Sequence, residues 1–216
     1  MASLRICYQT IEIENIDIHV RTLRDKQQFS DVGERALKVG ISSAMWPIFG
    51  VIWESGEVLA RLMFDYEVEG KRILEVGCGI GLASLVLNTR LADITATDYH
   101  PEAELFLQIN VELNNGADIP FVRTAWEDDV SSLGCFDLII GSDLLYERDC
   151  VNSLSDFIDQ HSKAQCHVII VDPGRGQSSH FTKRMHSYGY SKGSGEFFHG
   201  DIQKNPFKGK ILHYER

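Results

Sequence analysis

One stretch, residues 72–84, limits the possible folds more than any other part of this chain. It reads RILEVGCGIGLAS: an apolar segment with one acidic residue, then three glycines at alternate positions. Glycine allows positive φ and lets the backbone pass close to a ligand. The stretch is therefore predicted to be a buried strand, a tight turn and the start of a helix. The dinucleotide spacing Gly-x-Gly-x-x-Gly is absent, because Leu82 stands where its third glycine would fall. The turn therefore favours a nucleotide-like ligand other than NAD.

Apolar segments and amphipathic segments alternate downstream of this turn. Further strands are predicted at residues 93–97, 121–124, 136–140 and 166–171, with helices at about 101–113, 150–160 and 177–187. The helix after Pro101 is expected to carry Leu105, Ile109 and Leu113. Strands that are apolar on both faces and alternate with helices form parallel sheets covered on both sides. The predicted fold class is therefore α/β.

The N-terminal region has a different pattern. Residues 4–23 alternate apolar and polar side chains around Glu14 and Asn15, which predicts a β-hairpin. Residues 24–45 are polar and irregular, and ahead of the glycine turn Ser55 is a candidate N-cap for a helix. We expect a hairpin and loop extension over residues 1–45 and one globular domain over residues 46–216. Residues 197–198 and 210–214 are expected to supply one or two terminal strands.

Composition narrows the function classes. With 216 residues the chain has room for one domain with a real core, and we expect neither a membrane helix nor a signal peptide. The net charge of −10 disfavours nucleic acid; it favours a basic protein partner or simply maintains solubility. Five cysteines without paired spacing indicate free thiols in a reducing, cytoplasmic compartment. The histidines show no ligand spacing, so no metal is expected.

Polar side chains follow the carboxyl ends of the predicted strands, where such sheets bind ligands. Asp98 either holds the vicinal hydroxyls of a ribose or caps the next helix. Trp126 either forms a slot for adenine, beside acidic neighbours, or packs under a loop. Trp46 and Trp53 either close over the ligand or belong to the core.

Two further segments are candidates for the chemistry itself. Asp143 and Tyr146 are three residues apart, so on a tight turn they face the same way, where they can hold an amine and accept its proton. The alternative is a capping Asp with a core Tyr. Residues 172–175 either line the substrate entrance or form a plain turn. Cys78 is explained by its small size, since no base is identified for it.

These residues resemble those of a known family. Residues 73–81 with Asp98 look like motif I and the following acidic residue of the class I, seven-β-strand S-adenosylmethionine-dependent methyltransferases. Residues 143–146 are similar to the Asp/Glu-x-x-Tyr motif of methyltransferase family 16, the protein lysine methyltransferases. Trp53 and Trp126 match tryptophans of that family. Residues 172–175 resemble a segment of its bacterial-type members, including those acting on the electron-transfer flavoprotein β subunit.

The resemblance implies a Rossmann-like, seven-stranded, mostly parallel sheet with helices on both faces. It also implies S-adenosylmethionine as cofactor and in-line methyl transfer, with a protein lysine as acceptor. Asp143 and Tyr146 would be catalytic, with Asp143 or water taking the amine's proton. The residues expected to bind the cofactor are Trp53, Glu75, Gly77, Cys78, Gly79, Gly81, Asp98, Tyr99, Trp126 and Ser142. The chain departs from the family pattern at three positions. Glu54 stands where the family often has Pro, and Cys78 and Ile80 stand where it often has Ala and Thr.

Other functions remain open on these residues. The main alternative is a small-molecule N- or O-methyltransferase of the same fold. A non-catalytic binding module is disfavoured by Asp143, Tyr146 and the intact glycine loop, and an NAD-dependent oxidoreductase by the glycine spacing. We expect a protein substrate, no nucleic acid, no membrane and a monomer.

Overall fold

A seven-stranded sheet forms the centre of the protein in the computed structural model, which describes residues 4–193 and 207–216. A separate two-stranded hairpin precedes it. The strands are β1 (Ile6–Ile13), β2 (Ile16–Leu23), β3 (Arg72–Val76), β4 (Asp93–Asp98), β5 (Phe121–Arg123), β6 (Phe136–Ser142), β7 (Ser162–Asp172), β8 (Ser191–Lys192) and β9 (Lys210–Glu215). The sheet order is β5-β4-β3-β6-β7-β9-β8, and only the pairings of β9 with its two neighbours are antiparallel.

Helices connect the parallel strands. They are α1 (Glu54–Asp65), α2 (Leu82–Thr89), α3 (Ala103–Leu113), α4 (Arg148–Gln160) and α5 (Ser178–Ser187). Short 3-10 turns lie at Leu37–Val39, Trp46–Gly50 and Ser131–Leu133. In the described ranges α4 is the longest helix, with 13 residues, and none of these helices has the length and apolar character to cross a bilayer.

Alternate residues of the central strands enter two different cores. Ile73, Leu138 and Ile169 pack with α1, α2, α3 and the hairpin on one face of the sheet. Their neighbours in the chain, including Leu74 and Ile139, pack with α4 and α5 on the other face. The side-chain period of two in a strand produces this division, which explains why the strands read as continuous apolar runs.

The N-terminal hairpin is attached to the sheet through α3. Ile13, Ile18 and Val20 are fully buried in the same core as α1 and α2. The backbone N–H of Arg21 donates to Oδ1 of the buried Asn110, at 2.6 Å, so a side chain of α3 satisfies the edge of β2. Packing and hydrogen bonding therefore both hold the hairpin against the main body.

The predicted fold class is confirmed, including the mostly parallel sheet and the N-terminal hairpin. The division at residue 45 stays a prediction. The predicted strand at residues 210–214 is present as β9, whereas residues 197–198 lie outside the described residues.

One local prediction was wrong, and one feature of a helix was not predicted. Helix α1 begins at Glu54, so Ser55 lies inside it and is not its N-cap. Helix α3 buries Phe106, Asn110 and Val111, while Leu105 is 48% exposed. The apolar residues of α3 surround the helix, so the sequence alone did not identify which face meets the core.

Candidate functional site

A cavity of about 440 Å³ lies beyond the carboxyl ends of β3, β4, β5 and β6. Sheet order reverses between β3 and β6, which is where open α/β sheets bind ligands. The cavity brings together all but one of the residues that the sequence predicts for the site. Those that line it are Trp53, Glu75, Gly77, Cys78, Gly79, Asp98, Tyr99, Trp126, Ser142, Asp143 and Tyr146. Their individual roles stay predictions.

Gly79 and Gly81 serve different purposes in the glycine turn. Gly79 has φ 56°, and a Cβ there would come within 2.8 Å of the carbonyl oxygen of Phe49. Gly81 has φ 77°, and a Cβ there would come within 2.4 Å of Leu107 in α3. Gly81 is not among the residues that line the cavity. It gives Leu107 of α3 room against the start of α2, and its predicted contact with the cofactor stays a prediction.

Glu75 is a buried carboxylate at the base of the cavity. It is 4% exposed, and its Oε2 accepts hydrogen bonds from both the backbone N–H, at 2.9 Å, and the hydroxyl of Ser84. Burial raises the pKa of Glu75 to about 7, with Asp98 adding to the effect and the Ser84 hydrogen bonds opposing it. A cation bound in the cavity would favour its ionised form.

Asp98 ends β4 and faces the glycine turn. Its Oδ2 accepts from the N–H of Gly79 at 2.8 Å, and its Oδ1 accepts from the N–H of His100 at 2.7 Å. Each carboxylate oxygen has a second lone pair available for a ligand hydroxyl. Burial raises the pKa of Asp98 above its ordinary value, although these hydrogen bonds oppose the shift. Asp98 therefore orders the loop and also lines the cavity, whereas α3 begins only at Ala103.

The aromatic residues divide between wall and core. Trp53, which precedes α1, lines the cavity and donates its indole N–H to the carbonyl of Ile48 at 3.0 Å. Tyr99 lines it as well, and its hydroxyl donates to the carbonyl of Val39. Trp46 is 1% exposed and packs edge-to-face on Phe49, which makes it a core residue.

Asp143 and Tyr146 lie in the loop between β6 and α4, on the cavity wall. Asp143 has φ 57°, an unusual value for a residue with a side chain, and its N–H donates to the carbonyl of Val171 at 2.9 Å. Desolvation, with smaller effects of neighbouring acidic groups and Cys150, raises the pKa of Tyr146. The phenol therefore keeps its proton and acts as a hydrogen-bonding group.

Arg175 forms an ion pair with Asp143 that the sequence did not reveal. Its Nε and Nη2 donate to the two carboxylate oxygens of Asp143, each at 2.8 Å. The turn that carries it is stabilised by Asp172, whose Oδ1 accepts from the N–H groups of Gly174 and Arg175. Residues 172–175 thus form a turn and also present a cation to the site.

Sequence reasoning missed part of the segment that covers the cavity. Ile41 and Met45, from the region interpreted as a loop, and Ile48 and Phe49, which follow it, form one wall. His100 lines the cavity and stacks on Phe49 with 3.8 Å between ring centroids. Short 3-10 turns leave no periodic pattern, so these residues carried little signal.

Two other predictions concern reactive groups. Burial raises the pKa of the Cys78 thiol, so it stays protonated, as expected for a residue explained by its small size.

Among the described residues, His167, His213 and Glu215 bring potential metal-ligand atoms within 4.8 Å of one another. They lie on β7 and β9 and do not line the cavity. The absence of a metal from the site stays a prediction.

The fold is shared with solved Rossmann-like methyltransferases. The 16S rRNA N2 G1207 methyltransferase of T. thermophilus, solved with AdoMet and guanosine, superposes with a TM-score of 0.68 at 13% identity, covering 100% of this chain and 51% of that one. The ribosomal protein L11 methylase of Lactobacillus delbrueckii has a TM-score of 0.59 at 21% identity, covering 77% and 80%. At these identities the likeness shows the fold.

Sequence comparison identifies the family. The profile described as lysine methyltransferase matches residues 37–188, so the chain belongs to that family. The electron transfer flavoprotein beta subunit lysine methyltransferase of Danio rerio is 31% identical over 135 residues, 61% of this chain and 52% of that protein. The Mus musculus counterpart is 30% identical over 146 residues, 66% and 56%. The chain spans about half the length of these curated relatives.

Proposed function

We propose that this protein transfers a methyl group from S-adenosylmethionine to a lysine side chain of a protein. One observation carries the proposal: Glu75 in β3, Asp98 at the end of β4 and Asp143 directly after β6 share one cavity with the glycine turn. The named relatives are protein-lysine methyltransferases, which supports the same acceptor class.

The cavity suits a cationic nucleoside. Its volume of about 440 Å³ falls in the range of small-molecule sites, roughly 300–1,000 Å³. Asp98 offers lone pairs for ribose hydroxyls, Glu75 offers negative charge to the amino-acid end, and Trp126 offers a flat apolar face. When bound, S-adenosylmethionine supplies an activated methyl group. The residues around it orient the reactants and exclude water.

The acceptor must reach the methyl group as a neutral amine. A lysine amine has an ordinary pKa of about 10.4, so at neutral pH nearly all of it carries a proton that must leave first. The acceptor nitrogen then forms a bond to the methyl carbon while the carbon–sulfur bond breaks, its electron pair passing to sulfur. Asp143 and Tyr146 are placed on the cavity wall to orient this nitrogen.

Acidic side chains near the cavity favour a basic protein partner. Three acidic residues, Glu127, Glu147 and Asp149, are exposed. The pKa of Cys150, a residue of the cavity wall, is raised mainly by burial and to a smaller extent by these three charges. These three residues, here called the acidic rim, would attract a segment rich in lysine or arginine.

The test is methylation of a cell lysate with a labelled methyl donor, followed by mass spectrometry of the labelled species. We expect label on lysine residues of protein with the wild type. Asp98→Ala should bind S-adenosylhomocysteine too weakly to detect by calorimetry. Asp143→Ala should keep that binding and lose at least about 90% of turnover.

Two outcomes would contradict the proposal. Label that appears only in metabolites would indicate a small-molecule methyltransferase. Normal binding of S-adenosylhomocysteine by Asp98→Ala would show that the ribose assignment is wrong. The matched control is Asp93→Ala at the exposed start of β4, which should leave both properties unchanged.

We also propose that the protein acts as a monomer in the cytoplasm. All five cysteines are free, which suits a reducing compartment. Light scattering on the purified chain and fractionation of the source cells test the two statements, and a stable dimer or an organellar location would refute the corresponding one.

A further inference from the structure

The chemical partner of Asp143 is the feature that the proposed function leaves unexplained. Both oxygens of this carboxylate are already occupied by Arg175 before any acceptor is present. A carboxylate alone beside a lysine would stabilise the ammonium form, which has no lone pair and cannot be methylated. A residue that merely attracted the substrate cation would therefore oppose the reaction.

Arg175 reaches Asp143 from outside the cavity. Asp143 lines the cavity, while Arg175 does not, and the side chain of Arg175 is 46% exposed against 12% for Asp143. Gly174 and Gly176 flank it, both with positive φ and with open space around the position of a Cβ. Asp172 holds the base of this turn. The guanidinium thus covers the outer side of the carboxylate and leaves the cavity side accessible to an acceptor.

We propose that Arg175 is a positioning residue that neutralises Asp143, so that the acceptor nitrogen binds in its unprotonated form. The inference rests on the proposed function and names a new participant in it. The amine loses its proton to water, and Asp143 accepts a hydrogen bond from the neutral amine while Arg175 compensates its charge. The nitrogen lone pair then remains free to attack the methyl carbon.

The wild type and the Arg175 variants share all other ionisable groups near the pair. A comparison of the pH profiles of these proteins therefore isolates the effect of Arg175. Asp172 at the end of β7 faces Arg175 of the pair. The groups that face Tyr146, the neighbour of Asp143 on the cavity wall, are Cys150 in α4, Asp98 at the end of β4 and Glu147 in the loop after β6.

The experiment compares kcat for labelled-methyl transfer across pH 7 to 10 in the wild type, Arg175→Gln and Arg175→Lys. The acceptor is the lysate protein that the wild type labels. The profile of kcat reports the ionisation of the bound acceptor. Removing a half-exposed positive charge next to the amine should raise the midpoint by about one pH unit. Arg175→Gln should thus lose about tenfold at pH 7 and approach the wild-type rate at high pH.

Control variants separate this effect from damage to the structure. Arg175→Lys keeps the charge and should keep the wild-type midpoint. Arg24→Gln makes the same charge change at an exposed site after β2 and should leave the profile unchanged. An unshifted midpoint in Arg175→Gln, or an equal loss at every pH, would overturn the inference.

A binding measurement keeps this inference distinguishable from the proposed function. The probe is n-butylamine, titrated by calorimetry at pH 7 into the enzyme loaded with S-adenosylhomocysteine. Arg175→Gln should bind this ammonium several-fold tighter than the wild type, because its carboxylate is unpaired. Tighter binding without protein methylation would refute the proposed acceptor and support the role of Arg175. Methylation with equal n-butylamine affinities would refute the role of Arg175.

Discussion

At the scale of single residues, the site places two carboxyl groups, those of Glu75 and Asp98, in a poorly solvated environment. Glu75 and Asp98 both have pKa values raised by burial, and the charge of Asp98 further disfavours ionisation of Glu75. Backbone and hydroxyl donors from Ser84, Gly79 and His100 offset part of this cost. A cation bound in the cavity would relieve this repulsion.

The raised pKa of Glu75 predicts a specific dependence of stability on pH. Between its ordinary value of 4.5 and about 7, the folded protein binds a proton that the unfolded chain does not, so stability falls as pH rises through this window. The loss attributable to Glu75 is roughly 3 kcal/mol in full. Glu75→Gln should flatten that part of the curve. Urea unfolding at pH 5 and pH 8 measures it.

A suitable control for this prediction is Glu69→Gln, which changes an exposed carboxylate in the turn before β3. It should leave the difference between pH 5 and pH 8 as in the wild type. An unchanged difference in Glu75→Gln would show that Glu75 has an ordinary pKa in the folded protein.

At the scale of elements, α3 links the hairpin to the glycine turn. Asn110 is fully buried, accepts from the N–H of Arg21 and donates to the carbonyl of Ile80 at 3.0 Å. One turn further on, Asn114 accepts from the N–H of His19 and donates to its carbonyl. The two asparagine side chains therefore provide hydrogen-bond partners for backbone groups along β2. Asn110 also bonds to the glycine turn, which lines the cavity.

Loss of the Asn110 amide should affect both stability and the site. We expect Asn110→Ala to lower the free energy of unfolding by about 2–3 kcal/mol, because it leaves a buried N–H and a carbonyl without partners. Affinity for S-adenosylhomocysteine should also fall several-fold. Urea unfolding and calorimetry measure the two effects.

Asn114→Ala, at the C-cap of the same helix, provides the comparison. Asn114 is only partly buried, so its loss should cost about 1 kcal/mol and leave cofactor affinity unchanged. Equal effects of the two substitutions would mean that Asn110 has no special connection to the glycine turn.

At the scale of the whole molecule, part of the excess negative charge of this chain, which has a net charge of −10, lies close to the cavity. Glu147 and Asp149 of the acidic rim directly precede Cys150, a residue of the cavity wall, in the sequence. We expect the double variant Glu147→Lys with Asp149→Lys to raise KM for a basic acceptor protein at least about tenfold at low salt, with kcat little changed. The difference should shrink at 1 M salt, where exposed charges are screened.

The same charge change on the opposite edge of the sheet serves as control. Asp65 and Glu69 are exposed before the start of β3, and Asp65→Lys with Glu69→Lys should leave KM near the wild-type value. Similar rises in both double variants would indicate that overall charge, and not the acidic rim, attracts the acceptor.

Local pattern by itself indicated the α/β class, the parallel strands, their helices and the polar residues at the strand ends, because strand periodicity and glycine conformations are properties of short segments. The resemblance to a family added the number of strands and the remaining cofactor residues. Glu75, Asp98 and Asp143 were identifiable because parallel strands bring their carboxyl ends to one edge. Only the tertiary structure decided the buried face of α3, the wall from residues 41–49, the packing role of Gly81 and the pairing of Arg175 with Asp143. Each of these depends on contacts between segments far apart in the chain, and such contacts leave no periodic signal in the sequence.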